Sequence, residues 1–424
     1  MRNINRIIYI LSLCILLSLA AIPSSAAAKD TRDIIADNSE RVIAVSHRGD
    51  TALYPANSIE AIEAAALCGA DAVSVAVNKT ADGELVLCED VTLSNICETT
   101  ASSLDEITLE DLKKCRLYDN LGNVTEIYPV TLSEALESIN GEIYLILDVK
   151  YEDVADVCAV IAKQGAFSQV SLRCEAKSSK ADELSGYGAD IIGIYGGNIV
   201  WDSINHINRF SEAGMTMVEY RTKNYFNVCY GTVVGDSFSA EGKARAVAAA
   251  YDPDLCGKRT DDANGWNELI KNGFTVIETN NIAALASYVR SSVAQREALL
   301  KLTEGVKNTD FSAYSDISRK NIDDALTYAN EVLEGRAKSL AEYEAAYSSL
   351  NYSLGSKMIA EGKQETKGAL NITAGKIAVA VLVGAAFLAA QIFIENLKKN
   401  KDKETEENYN GNKTEVMDNE SKKA

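Results

Sequence analysis

The sequence predicts an α/β protein: a (β/α)8 TIM-like barrel, followed by a small three-helix bundle and one transmembrane helix. Short β-branched runs alternate with helical patterns from Arg41 to about Arg290, a purely helical pattern follows, and a long uncharged apolar run lies near the C-terminus. Repeated βα units over about 250 residues favour a parallel sheet that closes on itself. A doubly wound open sheet is the alternative architecture.

Residues 1–28 have the layout of a secretory signal peptide. Arg2 and Arg6 precede an apolar run from Ile7 to Ile22, and small residues lead to Ala28, after which we expect cleavage. A retained N-terminal anchor is the alternative. Either interpretation predicts that the rest of the chain is exported.

The barrel is expected over residues 41–290. Its predicted strands are VIAVS, DAVSVAVN, YLILDV, QVSLR, DIIGIY, TMVEY and FTVIET, and helical patterns lie between them. Residues 235–266 carry several Asp without the spacing of a calcium loop, and they are interpreted as a long loop plus a helix. In such a barrel, functional side chains are expected where the strands end.

Residues 293–367 carry apolar residues at helical spacing in three segments, which predicts a three-helix bundle. With DFSAYS before the second helix and EYEAAYSSL in the third, this part resembles the FIVAR-type helical modules of bacterial surface proteins. The resemblance implies a spacer near the cell wall or a glycan-binding module. A plain stalk is the alternative.

A transmembrane helix is predicted at residues 374–395. The uncharged run from Ile377 to Ile394 would span about 27 Å as a helix. A Lys cluster follows it, so the positive-inside rule predicts that residues 396–424 lie in the cytoplasm. Their charged composition predicts a disordered tail. The expected location is the plasma membrane, single-pass, with the barrel and the helical module extracellular.

Charge and residue counts narrow the possible functions. The chain has 42 Lys and Arg against 61 Asp and Glu, a net charge of −19, which disfavours nucleic acid as a partner. Its two histidines, His47 and His206, limit mechanisms that need several imidazoles. Eight cysteines follow the signal segment, and export would permit one or two disulfides among them.

Four motifs occur in order along the barrel region: SHRGDTALYPANSIEAIEAAALCGADAVSVAVNKTADGELVLCEDVTL, YPVTLSEALES, YLILDVK and GFTVIETNNIAAL. Over residues 41–289 the chain thereby resembles the glycerophosphodiester phosphodiesterase family. The resemblance implies a TIM barrel that hydrolyses glycerophosphodiesters with two histidines and a divalent cation, Ca²⁺ or Mg²⁺, held by carboxylates. A cation and an Arg would stabilise the charge that develops on the phosphate oxygens.

The positions that correspond to the family's site are only partly kept. His47 and Arg48 match the first catalytic His and its Arg, and Lys150 matches the Lys that contacts the phosphate. Glu89 stands at the position of the second catalytic His. Ala56 replaces a Glu beside Asn57.

The acidic metal ligands are the most altered part. Ser74 and Ala76 replace a Glu-x-Asp pair whose i, i+2 spacing would direct both carboxylates to one side of a strand, and Asp148 alone matches the third ligand. One carboxylate would hold a hard cation poorly, so we expect the cation to be absent or weakly bound. His206 lies in a helical pattern and is expected to have a structural role.

Two functions follow from these positions. The first is a surface-anchored binding or scaffold protein with impaired catalysis, and its partner would be a glycerophosphodiester-like small molecule or a cell-wall polymer. The alternative is an active phosphoric diester hydrolase of lipid metabolism that works through a rearranged site. His47, Arg48 and Glu89 are the candidate catalytic residues in either case.

Overall fold

A computed structural model describes residues 41–89, 92–175, 178–196, 200–227, 245–334 and 337–355. The predicted signal segment 1–28, the apolar run at 374–395 and the tail 396–424 lie outside the described residues. Within the described ranges, no helix combines the length and the hydropathy that a bilayer-spanning segment requires.

A closed parallel barrel forms the first part of the chain. In the described residues its eight parallel strands are β1 (Ile43–His47), β2 (Ala72–Lys79), β4 (Tyr144–Asp148), β5 (Val170–Cys174), β6 (Asp190–Tyr195), β7 (Met217–Tyr220), β8 (Arg245–Ala249) and β9 (Phe274–Thr279). β1 pairs with both β9 and β2, which closes the sheet and excludes the open-sheet alternative. A short strand, β3 (Leu85–Leu87), pairs antiparallel with β2.

Helices cover the outside of the barrel. They are α1 (Ile59–Cys68), α2 (Leu109–Leu112), α3 (Leu132–Ile139), α4 (Val154–Gln164), α5 (Ala181–Ser185), α6 (Val200–Glu212) and α7 (Ala263–Lys271). Local sequence sets their ends: the Ser58 hydroxyl caps the start of α1, and Gly69 ends it in the left-handed conformation that glycine adopts without strain.

Two apolar layers hold the barrel together. Inside it, side chains such as Val45, Ile146, Met217 and Val276 fill the space between the strands. A larger core lies between the outer face of the strands and the helices. Each strand alternates between these layers with period two, as a parallel barrel requires.

β8 corrects the interpretation of residues 235–266 as a loop plus a helix. Arg245–Ala249 pair in parallel with β7 and β9, and all five residues are buried. The run is rich in Ala, which favours helix, but its position between two strands satisfies its backbone hydrogen bonds in the sheet. Residues 228–244 lie outside the described residues.

A small subdomain is inserted between β3 and α3. Its described residues, 92–131, enclose a separate apolar cluster that includes Leu93, Cys97, Leu112 and Cys115. Cys97 and Cys115 are free thiols and do not form one of the one or two disulfides that the sequence permits.

Three helices follow β9: α8 (Ile282–Lys307), α9 (Asp316–Leu333) and α10 (Leu340–Gly355). α8 is continuous through residues 290–293, where the sequence places the boundary between the barrel and the helical module. Its first half buries Leu285 and Val289 in the core of the barrel, and its second half buries Leu299. On α10, Ala346 and Leu350 are fully buried.

The contact pattern divides the chain into two compact units, residues 1–308 with 317–357, and residues 309–316 with 358–424. Of the second unit the structure describes only residues 309–316. There the Tyr314 amide donates a hydrogen bond to the Phe311 carbonyl, at 2.9 Å, and the two rings lie 5.5 Å apart.

Candidate functional site at the barrel mouth

The ends of the strands direct a cluster of polar side chains into one mouth of the barrel. Each lies two residues after an inward-facing residue of the same strand, so each points inward as well. Asp148 follows Ile146 in this way, and Glu278 follows Val276. The cluster consists of His47, Ser74, Asp148, Arg173, Glu219 and Glu278.

His47 is held on two sides. Its Nδ1 lies 2.7 Å from Oε1 of Glu278, and its ring stacks on Tyr251 at 3.6 Å between centroids and 11° between planes. Burial alone would raise the pKa of Glu278, but the charge of Arg173 and the hydrogen bond from His47 hold that pKa well below its usual value. The ionised Glu278 favours a proton on Nδ1, which leaves Nε2 of a neutral imidazole as the proton acceptor.

Arg48 occupies the sharp turn that ends β1. Its φ of 63° is left-handed, and Gly49 follows at φ 90°, where a Cβ would lie 2.6 Å from the backbone of Ala61. This turn sends the guanidinium across the mouth, where Nε donates to Glu89 at 2.7 Å and Nη1 donates to Asp148 at 2.6 Å. Arg48 therefore joins Asp148, which stands at the one acidic ligand position that is retained, to Glu89, which stands at the position of the second histidine.

Arg173 is the centre of the mouth, and its side chain is 1% exposed. Its guanidinium donates to both oxygens of Asp148, to Glu219 at 2.8 Å and to both oxygens of Glu278. Burial would lower the pKa of Arg173, but the surrounding carboxylates raise it well above the usual value. Three acidic side chains thus share one permanently charged cation.

Asp148 is ionised for the same reason. Burial would raise its pKa, and the guanidinium groups of Arg173 and Arg48 more than offset that effect and lower the pKa below its usual value. Across the neighbouring strands, Asp148 is in register with Ala76 and Arg173. The two neighbouring strands therefore place the methyl group of Ala76 on one side of Asp148 and the guanidinium of Arg173 on the other.

A cavity of about 350 Å³ opens above this cluster. Arg48, Lys150, Arg173 and Arg221 contribute cationic groups to its lining, and Glu89, Asp148 and Glu175 contribute carboxylates. Arg221 donates to Glu175 at 2.7 Å, and the Glu175 side chain is 78% exposed. Glu89 and Glu175 are thus the carboxylates that an incoming anion could displace from the arginines.

The donor set does not fit a divalent cation. Ser74 donates its hydroxyl hydrogen to Glu278, Ala76 has no ligand atom, and both oxygens of Asp148 accept hydrogen bonds from guanidinium groups. In the described part of the chain, no group of three or more His, Cys, Asp or Glu is arranged to hold a metal ion. A hard cation prefers several free oxygen ligands, which this mouth does not provide.

The structure brings together most residues that the sequence singled out. His47, Arg48, Ser74, Glu89 and Asp148 are linked through hydrogen bonds at the mouth, and Lys150 lines the cavity. His206 lies on α6, where its ring stacks on Tyr195 at 4.5 Å between centroids.

Sequence reasoning missed Arg173, Glu219, Glu278, Tyr251 and Arg221. A signal was available for three of them, because Arg173, Glu219 and Glu278 are charged residues inside the short apolar strands QVSLR, TMVEY and FTVIET. A charged residue in such a strand must find a buried partner. The sequence gives no means of choosing that partner.

Comparisons with known proteins agree with this fold. Residues 47–183 match the model of the glycerophosphoryl diester phosphodiesterase family. The chain is 32% identical over 117 residues to glycerophosphodiester phosphodiesterase 1 of Bos taurus, covering 26% of this chain and 34% of that protein. It is 32% identical over 108 residues to a glycerophosphodiester phosphodiesterase of Caldanaerobacter subterraneus subsp. tengcongensis, covering 25% of this chain and 44% of that protein.

Both curated relatives are therefore matched over less than half of their own length. Among solved structures, a glycerophosphoryl diester phosphodiesterase from Parabacteroides distasonis superposes with a TM-score of 0.50 at 20% identity, over 62% of this chain and 92% of that one. That likeness concerns the fold. The chain therefore contains a TIM-like barrel in which residues 47–183 match a glycerophosphoryl diester phosphodiesterase family domain.

Proposed function

We propose that the barrel is a binding or scaffold member of its family, which recognises a glycerophosphodiester-like molecule at the mouth and hydrolyses it slowly or not at all. The observation that carries the proposal is the state of Asp148 and Glu89. Both carboxylates are joined to Arg48, at the places where the family resemblance implies a metal ligand and a second catalytic imidazole.

The chemistry of these two residues explains the expected loss of rate. Departure of an alcohol from a phosphodiester needs a proton donor, and a carboxylate ion-paired with a guanidinium has no proton to give. Loss of metal stabilisation and loss of a general acid each remove orders of magnitude in rate. Binding survives such losses because it depends on the shape and charge of the cavity.

The lining of the cavity supports an anionic ligand. Lys150 and the guanidinium groups of Arg48 and Arg221 can contact phosphate oxygens if the exposed carboxylates of Glu89 and Glu175 move aside. The cavity volume of about 350 Å³ is at the lower end of the range for small-molecule sites. A cell-wall polymer with phosphodiester links is the larger ligand of the same chemistry.

The binding proposal is tested by calorimetry with glycerol 3-phosphate and glycerophosphocholine. We expect Lys150→Ala to weaken binding about 10- to 100-fold, since a charged hydrogen bond contributes about 1.5–3 kcal/mol. Lys114→Ala is the matched control, because Lys114 is paired with Glu110 and Asp111 in the inserted subdomain. Unchanged binding in Lys150→Ala would contradict a site at the mouth.

Hydrolysis is measured in the same samples. We expect no turnover of glycerophosphocholine with Ca²⁺, Mg²⁺ or Mn²⁺. If wild type releases glycerol 3-phosphate rapidly and His47→Ala does not, the protein is an active hydrolase and this proposal is wrong.

The second candidate is an active phosphoric diester hydrolase of lipid metabolism, and the pairing of His47 with Glu278 favours it. Glu278 accepts a hydrogen bond from Nδ1 of His47 and so orients the imidazole, which leaves Nε2 free to act as a general base. Many hydrolases use this arrangement. His47 would then take up and return the proton by itself. This candidate requires turnover that depends on His47.

We further propose that the protein acts at the cell surface. The support is in the sequence: the layout of residues 1–28, the apolar run within 374–395 and the Lys cluster after it. The helices after the barrel would serve as a FIVAR-like spacer or as a module that contacts the cell wall. Membrane fractionation and extracellular protease treatment test this: the barrel should be degraded on intact cells, whereas an epitope on the C-terminal tail should be protected.

A further inference from the structure

Three acidic side chains from different strands surround the Arg173 guanidinium. Asp148 ends β4, Glu219 lies in β7 and Glu278 lies in β9, and the side chains of the two glutamates are completely buried. Burying several carboxylates together costs free energy through desolvation and mutual repulsion, so a buried cluster of this kind needs a cation among its members. In this mouth the cation is part of the chain.

The geometry of the guanidinium matches that role. One edge of the planar group, Nε and Nη2, donates to Asp148, the other edge, Nη1 and Nη2, donates to Glu278, and Nη1 also reaches Glu219. These contacts use both oxygens of Asp148 and both oxygens of Glu278. An ion that entered the cluster would have to displace Arg173 to obtain its ligands.

We propose that Arg173 is a built-in cation that takes the place of a divalent metal at the mouth, and that its three carboxylate partners are a latent metal site that its guanidinium blocks. The charge of an arginine is permanent at physiological pH, whereas a bound metal can dissociate. The mouth therefore keeps its geometry, including the Glu278–His47 hydrogen bond, without any metal in solution.

This inference is independent of whether the barrel binds or hydrolyses its ligand. A binding protein of this kind would recognise its ligand equally well in a chelator, and a hydrolase of this kind would act without added metal. The inference is tested by the binding of a metal ion alone to wild type and to Arg173 variants, without any organic ligand.

The test uses Mn²⁺ alone, titrated into the full-length protein in mild detergent, with free Mn²⁺ measured by electron paramagnetic resonance. We expect wild type to show no site tighter than about 1 mM. In Arg173→Ala, the carboxylates of Asp148, Glu219 and Glu278 lose their shared guanidinium. They keep their outer partners Arg48, Arg221 and His47. We expect them to bind one Mn²⁺ at about 0.1 mM or tighter, which is the affinity range of extracellular calcium modules.

Three further variants make the result specific. Arg173→Lys keeps a cation in the cluster and should bind Mn²⁺ no more tightly than wild type. Arg221→Ala removes the neighbouring arginine, which contacts Glu219 from the outer side, and should also stay silent because Arg173 remains. Arg173→Ala combined with Glu219→Gln should lose most of the gained affinity.

The proposal is overturned if wild type has a saturable Mn²⁺ site that Glu219→Gln weakens, or if Arg173→Ala folds and binds Mn²⁺ no better than wild type. If Arg173→Ala does not fold, Arg173→Ala with Glu278→Gln replaces it, because one buried charge fewer is left unpaired. That variant keeps two carboxylates and an amide oxygen as ligands. Like the combination with Glu219→Gln, it should retain only part of the gained affinity but still bind Mn²⁺ more tightly than wild type, and equal affinity would count against the proposal.

Discussion

At the scale of single residues, the mouth of the barrel shows how one buried charge determines the behaviour of several others. Arg173 lowers the pKa of Asp148 and of Glu278, and Glu278 in turn orients His47. A buried ion pair contributes little to stability compared with an apolar pair of the same size. Removal of one partner is costly, because it leaves the other charges buried without compensation.

We expect Arg173→Met to destabilise the protein by about 3–5 kcal/mol at pH 7, measured by urea unfolding. The methionine fills much of the same space, so the loss reports the uncompensated charges of Asp148, Glu219 and Glu278. Arg221→Met is the control: Arg221 is 24% exposed and leaves the central cluster intact, so its effect should be much smaller. Equal losses in the two variants would contradict the central role of Arg173.

The same substitution should change the sign of the pH dependence. In wild type, the depressed pKa values of Asp148 and Glu278 give stability that is present above their unfolded values of about 4 and is lost as the pH falls through the folded values. Without Arg173, burial should raise these pKa values, so protonation would relieve the repulsion. We therefore expect Arg173→Met to become more stable from pH 7 to pH 5, and unfolding curves over this range will show whether it does.

At the scale of elements, the ends of the helices are set by side chains that the sequence displays. α3 begins with a capping box, in which the Thr131 hydroxyl accepts from the Glu134 amide at 3.1 Å and the Glu134 carboxylate accepts from the Thr131 amide at 2.8 Å. The helix packs Leu132 and Leu136 against the barrel. Its start also adjoins β3, because Val86 forms a β-bridge with Thr131.

We expect Thr131→Ala to lower stability by about 1 kcal/mol, because the Glu134 amide at the start of α3 loses the hydroxyl that accepts its hydrogen bond. Thr131→Ser retains the hydroxyl and should keep most of the stability, so it separates the cap from the lost methyl group. Thermal unfolding monitored by circular dichroism measures both variants. A serine variant as unstable as the alanine variant would show that the hydroxyl has no capping role.

The sequence predicted most strands of the barrel but only part of the residue cluster at its mouth. The predicted strand YLILDV is confirmed because its apolar run is buried and its aromatic and branched side chains favour a strand. β8 was missed because its Ala-rich run has no period, and its strand state depends on pairing with β7 and β9. His47 and Arg48 were found from a motif, whereas the partnership of Arg173 with Glu219 and Glu278 depends on how distant strands are aligned across the barrel.

At the scale of the whole molecule, one helix connects the barrel with the helices that follow it. α8 runs from Ile282 to Lys307 without interruption. Near its middle, the Tyr288 hydroxyl accepts from the Leu340 amide at 3.0 Å, and the Ser292 hydroxyl donates to the Lys338 carbonyl at 3.4 Å. The start of α10 is therefore bonded to the same turns of α8 that cover the barrel, and we expect both parts to unfold cooperatively.

Ala294→Pro tests this cooperativity. Ala294 is exposed in the middle of α8, so its substitution disturbs the helix without removing a core side chain. Proline removes a helical hydrogen bond and clashes with the preceding turn, which costs about 3 kcal/mol, whereas Ala294→Gly costs about 1 kcal/mol and serves as the control. If the barrel and the helices unfold as one unit, hydrogen exchange should accelerate by the same factor in peptides from β1 and from α10. Faster exchange in α10 with unchanged exchange in β1 would instead show that the barrel holds its structure alone, because the kink in α8 would then release only the helices beyond it.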